Sequence, residues 1–265
     1  AIHARLAQRG IRPTEDGQSA AEAEIRNAKG AVRVDQYRRR VRLGSWTEVR
    51  PDAEGRGQTT PVTAEVSTDA IQAALDEHPA VLIPARPEPY YLDAPLVLKS
   101  GRRLLADPGA EIRLKPSTNT CMVRNEHVVA GQQGPVSMGP EPDRDILVAG
   151  GVWTTLATGR DQYNGNVRGR ADSSGGAGGA FAVMLFSGVE GLQVKGVTIK
   201  EGRPFGIQMN LCRDFLVEQV TLVNHRCDGI HLNGPASHGI IRQVGGVTYD
   251  DLLALNAWDW RGCTM

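Results

Sequence analysis

A 23-residue period runs through the second half of the chain and constrains its fold more than any other feature. Shifted by that distance, Val183-Met184-Leu185-Phe186-Ser187 falls on Gly206-Ile207-Gln208-Met209-Asn210. The next shifts reach Gly229-Ile230-His231-Leu232-Asn233 and then Leu252-Leu253-Ala254-Leu255-Asn256. A second apolar strand repeats in step: Leu192 to Ile199 lies 23 positions before Phe215 to Leu222. Its third copy, Gly239 to Val244, is displaced by one further residue, and a weaker early copy begins at Ile146-Leu147-Val148. Such a repeat cannot bury its apolar face alone and needs a copy above and below. The expected fold is therefore all-β: a parallel solenoid of about 23 residues per coil, with equivalent strands about 4.8 Å apart. Asn210, Asn233 and Asn256 share one coil position, where stacked amides can bond along the axis.

The 265 residues carry 30 basic and 30 acidic side chains, so no general attraction to nucleic acid or an anionic membrane is expected. Apolar residues reach 40%, enough for a core, yet no run of about eighteen forms a membrane span. Glycine, at 31 residues, fits frequent turns between short strands. The four cysteines, Cys121, Cys212, Cys227 and Cys263, form no C-x-x-C pair; they demand neither zinc nor disulfides and leave the compartment open. The chain opens on Ala1 without a signal-peptide pattern, as a processed chain or a piece of a longer one would.

Residues 1–65 read as a separate arginine-rich segment, irregular or partly helical, ahead of a β-domain at 66–265. Gln18 to Ala28 fits a short helix, and 51–63 reads as a Gly/Pro/Thr linker. Six arginines lie in 31–50, three of them at Arg38 to Arg40. They form either a polyanion-binding arm or, lacking interleaved aromatics, a solvated surface. Ser67 or Thr68 caps a helix over Asp69 to Glu77, which would close the first coil. Short strands follow at Val81 to Ile83, Leu96 to Leu98, Arg103 to Leu105 and Glu111 to Leu114.

The register also places Asp228 and Asp251 at equivalent positions on adjacent coils, with Asp250 stacked over Cys227. Like charges one rung apart resist joint ionisation, so one pKa should rise. Split carboxyl pKa values are what acid/base cleavage of a glycosidic bond needs. Aspartates also cap turns between strands, which is the plainer role for them. Strict alternation from Ile230 and Leu232 would turn Asp228 inward, so a turn or bulge around Arg226 to Gly229 is required to expose it.

The segment Asn224 to Asn256 resembles the polygalacturonase-type glycoside hydrolases (family 28) of the pectin-lyase-like right-handed β-helix superfamily. Cys227-Asp228-Gly229-Ile230-His231-Leu232 and Asp250-Asp251-Leu252-Leu253-Ala254-Leu255-Asn256 carry that likeness. Thr68 to Pro84 and Leu96 to Leu114 are similar to the superfamily's amino-terminal cap and first coil. The resemblance implies a right-handed, single-stranded parallel β-helix and an inverting hydrolase. It implies Asp250 as general acid, with Asp228 and Asp251 holding the attacking water. Of the family's Asn-Thr-Asp motif only Asp228 matches, at Arg226-Cys227-Asp228; of Gly-Asp-Asp both aspartates match, at Tyr249-Asp250-Asp251. The family's later Gly-His-Gly and Arg-Ile-Lys motifs would fall past Met265, and His238-Gly239, lying before the aspartates, is no substitute. The last coil would then be exposed, so further coils or a partner chain are expected.

Gln208 and His231 share an outward coil position and either line a substrate groove or are ordinary surface polar groups. Arg226 and Arg203 bind an anionic sugar or are ordinary surface arginines. His225, Asp228, His231 and His238 fit no tight metal-ligand spacing, and no metal or organic cofactor is expected. Trp258 and Trp260, flanking Asp259, either stack on sugar rings or plug a following coil. The glycine-rich run 173–179 reads as a loop and not a phosphate cradle. The chain is thus read as a glycosidase acting on a polysaccharide, pectic in the family resembled, in an extracellular or periplasmic setting. Two alternatives stay open: a lyase or epimerase on the same scaffold, and a non-catalytic carbohydrate-binding or adhesin-like β-helix.

Overall fold

A computed structural model describes residues 1–128, 141–158, 164–166 and 182–256. Trp258, Asp259, Trp260, Cys263 and the run 173–179 lie outside the described residues. The fold is mostly β, with parallel strands gathered into an eleven-stranded long sheet and a six-stranded short sheet. From Ala182 on the chain alternates between the two sheets, and strands pair in parallel with their equivalents one turn of chain later. In the short sheet Ala182–Ser187 pairs with Phe205–Asn210, then Ile230–Asn233, then Leu253–Asn256. Met184, Ile207, Ile230 and Leu253 follow one another in register, as do Ser187, Asn210, Asn233 and Asn256. In the long sheet Val194 pairs with Val217 and Val217 with Ile241, reproducing the one-residue slip. Val148 pairs with Val194, so the weaker early copy is a neighbouring rung although more chain intervenes.

The core lies between the sheets. Met184, Phe186, Ile207, Met209 and Ile230 enter it from one side and Val194, Val197, Ile199, Val217 and Leu222 from the other. Each such side chain contributes about 1.5–3 kcal/mol on leaving water. Corners stack as strictly as strands do. Gly196 (φ 60°), Gln219 (φ 53°) and Gln243 (φ 53°) occupy one left-handed column of the long sheet. Gly191 (φ 84°), Asp214 (φ 55°) and His238 (φ 59°) form a second such column. A Cβ on Gly196 would stand 2.7 Å from the backbone nitrogen of Ala21, so the glycine also admits the helix packed there.

Residues 1–65 are more regular than expected. Helix α1 (Ile2–Gln8) and helix α2 (Ala20–Asn27, capped by Ser19) lead to a 3₁₀ segment, Val34–Arg40. The stretch read as a linker is instead the turn and second strand of an antiparallel hairpin, Arg42–Pro51 with Gly57–Val66. Threonines and valines favour strand there, and Asp52 closes the turn by accepting from the backbone N–H groups of Glu54 and Arg56. The arginine run makes surface ion pairs, Arg38 with Glu65 and Arg40 with Glu77. The segment before the hairpin covers the outer face of the long sheet. Leu6 and Ile11 pack on Leu216, and Ile25 joins Leu105, Leu147 and Ala149. Helix α3 (Thr68–Glu77) buries Ile71, Ala74 and Leu75 as the apolar pattern required.

At the other end the last of the described rungs carries exposed apolar side chains, Tyr249 at 62%, Leu253 at 40% and Leu255 at 67%. Among the described residues no helix is long and apolar enough to cross a membrane.

Candidate active site

The strands Leu216–His225 and Ile230–Asn233 are joined by a bend at Arg226 to Asp228. Register breaks between Leu222 and His225, which frees the following residues from strict alternation. Gly229 is needed there because a Cβ would meet Leu222 Cδ1 at 2.2 Å and the carbonyl oxygen of Leu252 at 2.6 Å. Asp228 and Asp251 therefore stand at equivalent places on adjacent rungs, and the Gly229 N–H donates to the Asp251 carbonyl at 2.8 Å. Asp250 and Asp251 are exposed, whereas Asp228 is 7% exposed. Cys227, Asp228 and Asp250 bring Sγ and carboxylate oxygens within 4.8 Å of one another.

A histidine completes the cluster. His231 Nδ1 lies 2.6 Å from Asp228 Oδ2, and its Nε2 lies 3.0 Å from Asn233 Oδ1 and 3.1 Å from Asn256 Nδ2. The Phe205 ring lies 3.9 Å from the imidazole, tilted by 35°. The His231–Asp228 bond was not anticipated. Its only trace in the sequence is an aspartate three positions before a histidine, across a turn that hides their proximity. The amide ladder holds between Asn210 and Asn233, with Nδ2 of the second donating to Oδ1 of the first at 3.1 Å. One rung on, Asn256 turns its Nδ2 to His231.

The Asp228 carboxyl is pushed above its ordinary pKa, first by burial. The His231 hydrogen bond and charge pull it back, and Asp250 and Asp251 push it further up. Like-charge repulsion, expected as the driving cause, is thus secondary to desolvation. Burial also raises the Cys227 thiol. Cys121, Cys212 and Cys227 are free thiols, the first two pushed up to about 12 by complete burial and so unreactive.

Gln208 and His231 do stack in register, but both are buried, at 2% and 1% exposure, and neither is an open groove residue. Gln208 Nε2 lies 3.4 Å from Asn210 Oδ1, and Phe205 covers His231. The Arg226 guanidinium lies over the Tyr249 ring at 4.6 Å. His225 is buried against the Pro204 carbonyl at 3.1 Å, and burial lowers its imidazole to about 4. His225, Asp228, His231 and His238 do not assemble as one metal cluster among the described residues. The groups with metal-ligand spacing there are Cys227–Asp228–Asp250 and Glu126–His127–Asp143. In the second, Asp143 already accepts from Asn125 Nδ2 and the His127 backbone N–H.

No family model matches the chain, and neither does any curated protein sequence. Among solved structures, a Yersinia enterocolitica family 28 exopolygalacturonase is 16% identical with a TM-score of 0.44, over 80% of this chain and 50% of that one. A Parabacteroides merdae protein provisionally described as a glycosyl hydrolase is 14% identical with a TM-score of 0.43, over 84% and 95%. The Streptococcus pneumoniae surface protein and adhesin PfbA is 16% identical with a TM-score of 0.38, over 76% and 42%. The chain thus spans about half the length of the Yersinia enzyme. Glycoside hydrolases and an adhesin both appear among these distant likenesses.

Proposed function

We propose that residues 66–265 form a right-handed, single-stranded parallel β-helix bearing a glycoside hydrolase site for a polysaccharide. The carrying observation is the meeting of Asp228, Asp250 and Asp251 across two rungs, with Asp228 nearly enclosed and its pKa raised. A raised pKa makes the ionised form of Asp228 a stronger base. His231 holds that carboxylate in one orientation and opposes its protonation. Asp228 and Asp251 take the water, and exposed Asp250 gives a proton to the leaving oxygen, as the family resemblance implies.

The resemblance implies inversion, in which water sits between an acid and a base whose carboxyl groups stand about 6.5–9.5 Å apart. Proton NMR of the first-formed anomer decides between inversion and retention. Burial of Gln208 and His231 leaves the aspartates without two expected substrate contacts, so a non-catalytic glycan-binding wall is the second reading.

Reducing-sugar release from pectic, other plant and microbial glycans tests the assignment. The protein should release sugar from at least one class, and Asp250→Asn should abolish that release while circular dichroism stays unchanged. An unaltered rate in Asp250→Asn removes Asp250 from the acid role. A folded protein that binds glycan and cleaves none of these classes supports the binding wall.

A further inference from the structure

The end of the stack opposite Asp228 holds a second feature that the proposed chemistry does not use. A cavity of about 260 Å³ opens between the 3₁₀ segment, the first turn of α3 and the 84–90 loop. Arg33, Arg38 and Arg86 line it together with Asp35, Glu65 and Ser67, a balance of one net positive charge. Ser67 stands at the N-cap of α3 yet makes no side-chain capping bond. It is 2% exposed, and its Oγ has no hydrogen-bond partner. The first-turn N–H groups of an uncapped helix carry a partial positive charge and favour an anion. Arg86 is held with its guanidinium 3.8 Å over the Tyr90 ring. Glu65 already shows how these arginines take an oxyanion: Arg86 reaches it at 2.9 Å and Arg38 at 3.4 Å.

We propose that this cavity binds the oxyanion of a small ligand, a phosphate or a carboxylate. Ser67 Oγ and the start of α3 donate to it, and Arg38 and Arg86 turn to it from Glu65. Three features converge on one anion: a buried hydroxyl with no other bond, an uncapped ten-residue helix and a fork of arginines. Glu65 is then a built-in competitor that sets the affinity. The assignment is independent of any activity at Asp228.

Isothermal titration of the full chain at fixed ionic strength tests it with three probes: inorganic phosphate, D-glucuronate and D-glucose. Saturable binding of phosphate or glucuronate, with none of glucose, is the expected result; the tighter of the two names the ligand's anionic group. Ser67→Ala should weaken that binding about fivefold and Arg38→Ala about threefold. Glu65→Gln should tighten it about tenfold by removing the competing charge. Thermal melts confirm that each variant is folded; if Glu65→Gln is not, Ser67→Ala and Arg38→Ala decide. No oxyanion binding at millimolar concentration, equal binding of glucose, or affinity unmoved in the folded variants would overturn the proposal.

Discussion

Glu218 and Asp228 are both nearly enclosed carboxylates, at 0% and 7% exposure, and the wall treats them in opposite ways. Glu218, on the long sheet, accepts from the backbone and hydroxyl of Thr14 and is ringed by Lys195 at 3.5 Å and Arg242 at 3.6 Å. Lys195 is itself paired with Glu24 of α2 at 2.9 Å. Every charge there has an opposite partner, and the network ties residues 1–40 to the wall. Asp228, on the short-sheet side, has one histidine and two further aspartates beside it. Compensated burial holds structure together. A carboxyl buried beside like charges is costly and is the kind of arrangement found at chemical sites.

Removing either side should separate the two roles. Glu218→Ala leaves Lys195 and Arg242 facing a lost partner and releases Thr14, so urea unfolding should show a loss of about 3–5 kcal/mol. A loss under about 1 kcal/mol would show that the covering segment is not anchored there. The next largest effect is titration of His225, whose imidazole falls from 6.5 to about 4 on burial. A group with a depressed folded pKa contributes stability above its unfolded pKa and loses it as pH falls through the folded value. Unfolding free energy should therefore drop by about 3 kcal/mol between pH 6.5 and pH 4, a slope that His225→Gln should remove.

Much of this wall was legible beforehand, for a physical reason. A rung needs inward apolar side chains at fixed places, so Met184, Ile207, Ile230 and Leu253 announced the strand register. The same register places Asp228 and Asp251 on adjacent rungs from the sequence alone. The corners were not legible, because left-handed backbone falls on Gln219, Gln243, Asp214 and His238, where no glycine marks it. The hairpin was hidden because Gly57, Pro61 and the surrounding threonines also compose linkers. Burial of Gln208 and His231 was hidden because periodicity tells which face a residue takes and not what covers that face. The Asp228–His231 bond depends on how tightly the 226–229 turn closes, which spacing alone does not show.

Smaller effects sharpen the contrast. Asn233→Ala removes the amide rung to Asn210 and a contact at His231 Nε2, and thermal denaturation should register about 1–2 kcal/mol. Asp228→Asn should change stability at neutral pH by about 1 kcal/mol or less, since an amide oxygen still accepts from His231. A change as large as that for Glu218→Ala would place Asp228 with the structural carboxylates. The pH dependence has its own sign. A carboxyl with a raised folded pKa contributes stability below its unfolded pKa of 3.8, lost as pH rises through the folded value. Asp228→Asn should remove that component and leave the His225 transition in place.

Carboxyl-carbon NMR titration of Asp228 addresses the claim that the rungs bring three acidic groups together around a nearly enclosed one. Asp228 should titrate above 3.8, with a lower midpoint in Asp250→Asn and in Asp251→Asn and a higher one in His231→Phe. A midpoint at or below 3.8, unmoved by all three substitutions, would mean that the carboxyl lies in open water away from its neighbours, and the proposed site would not exist.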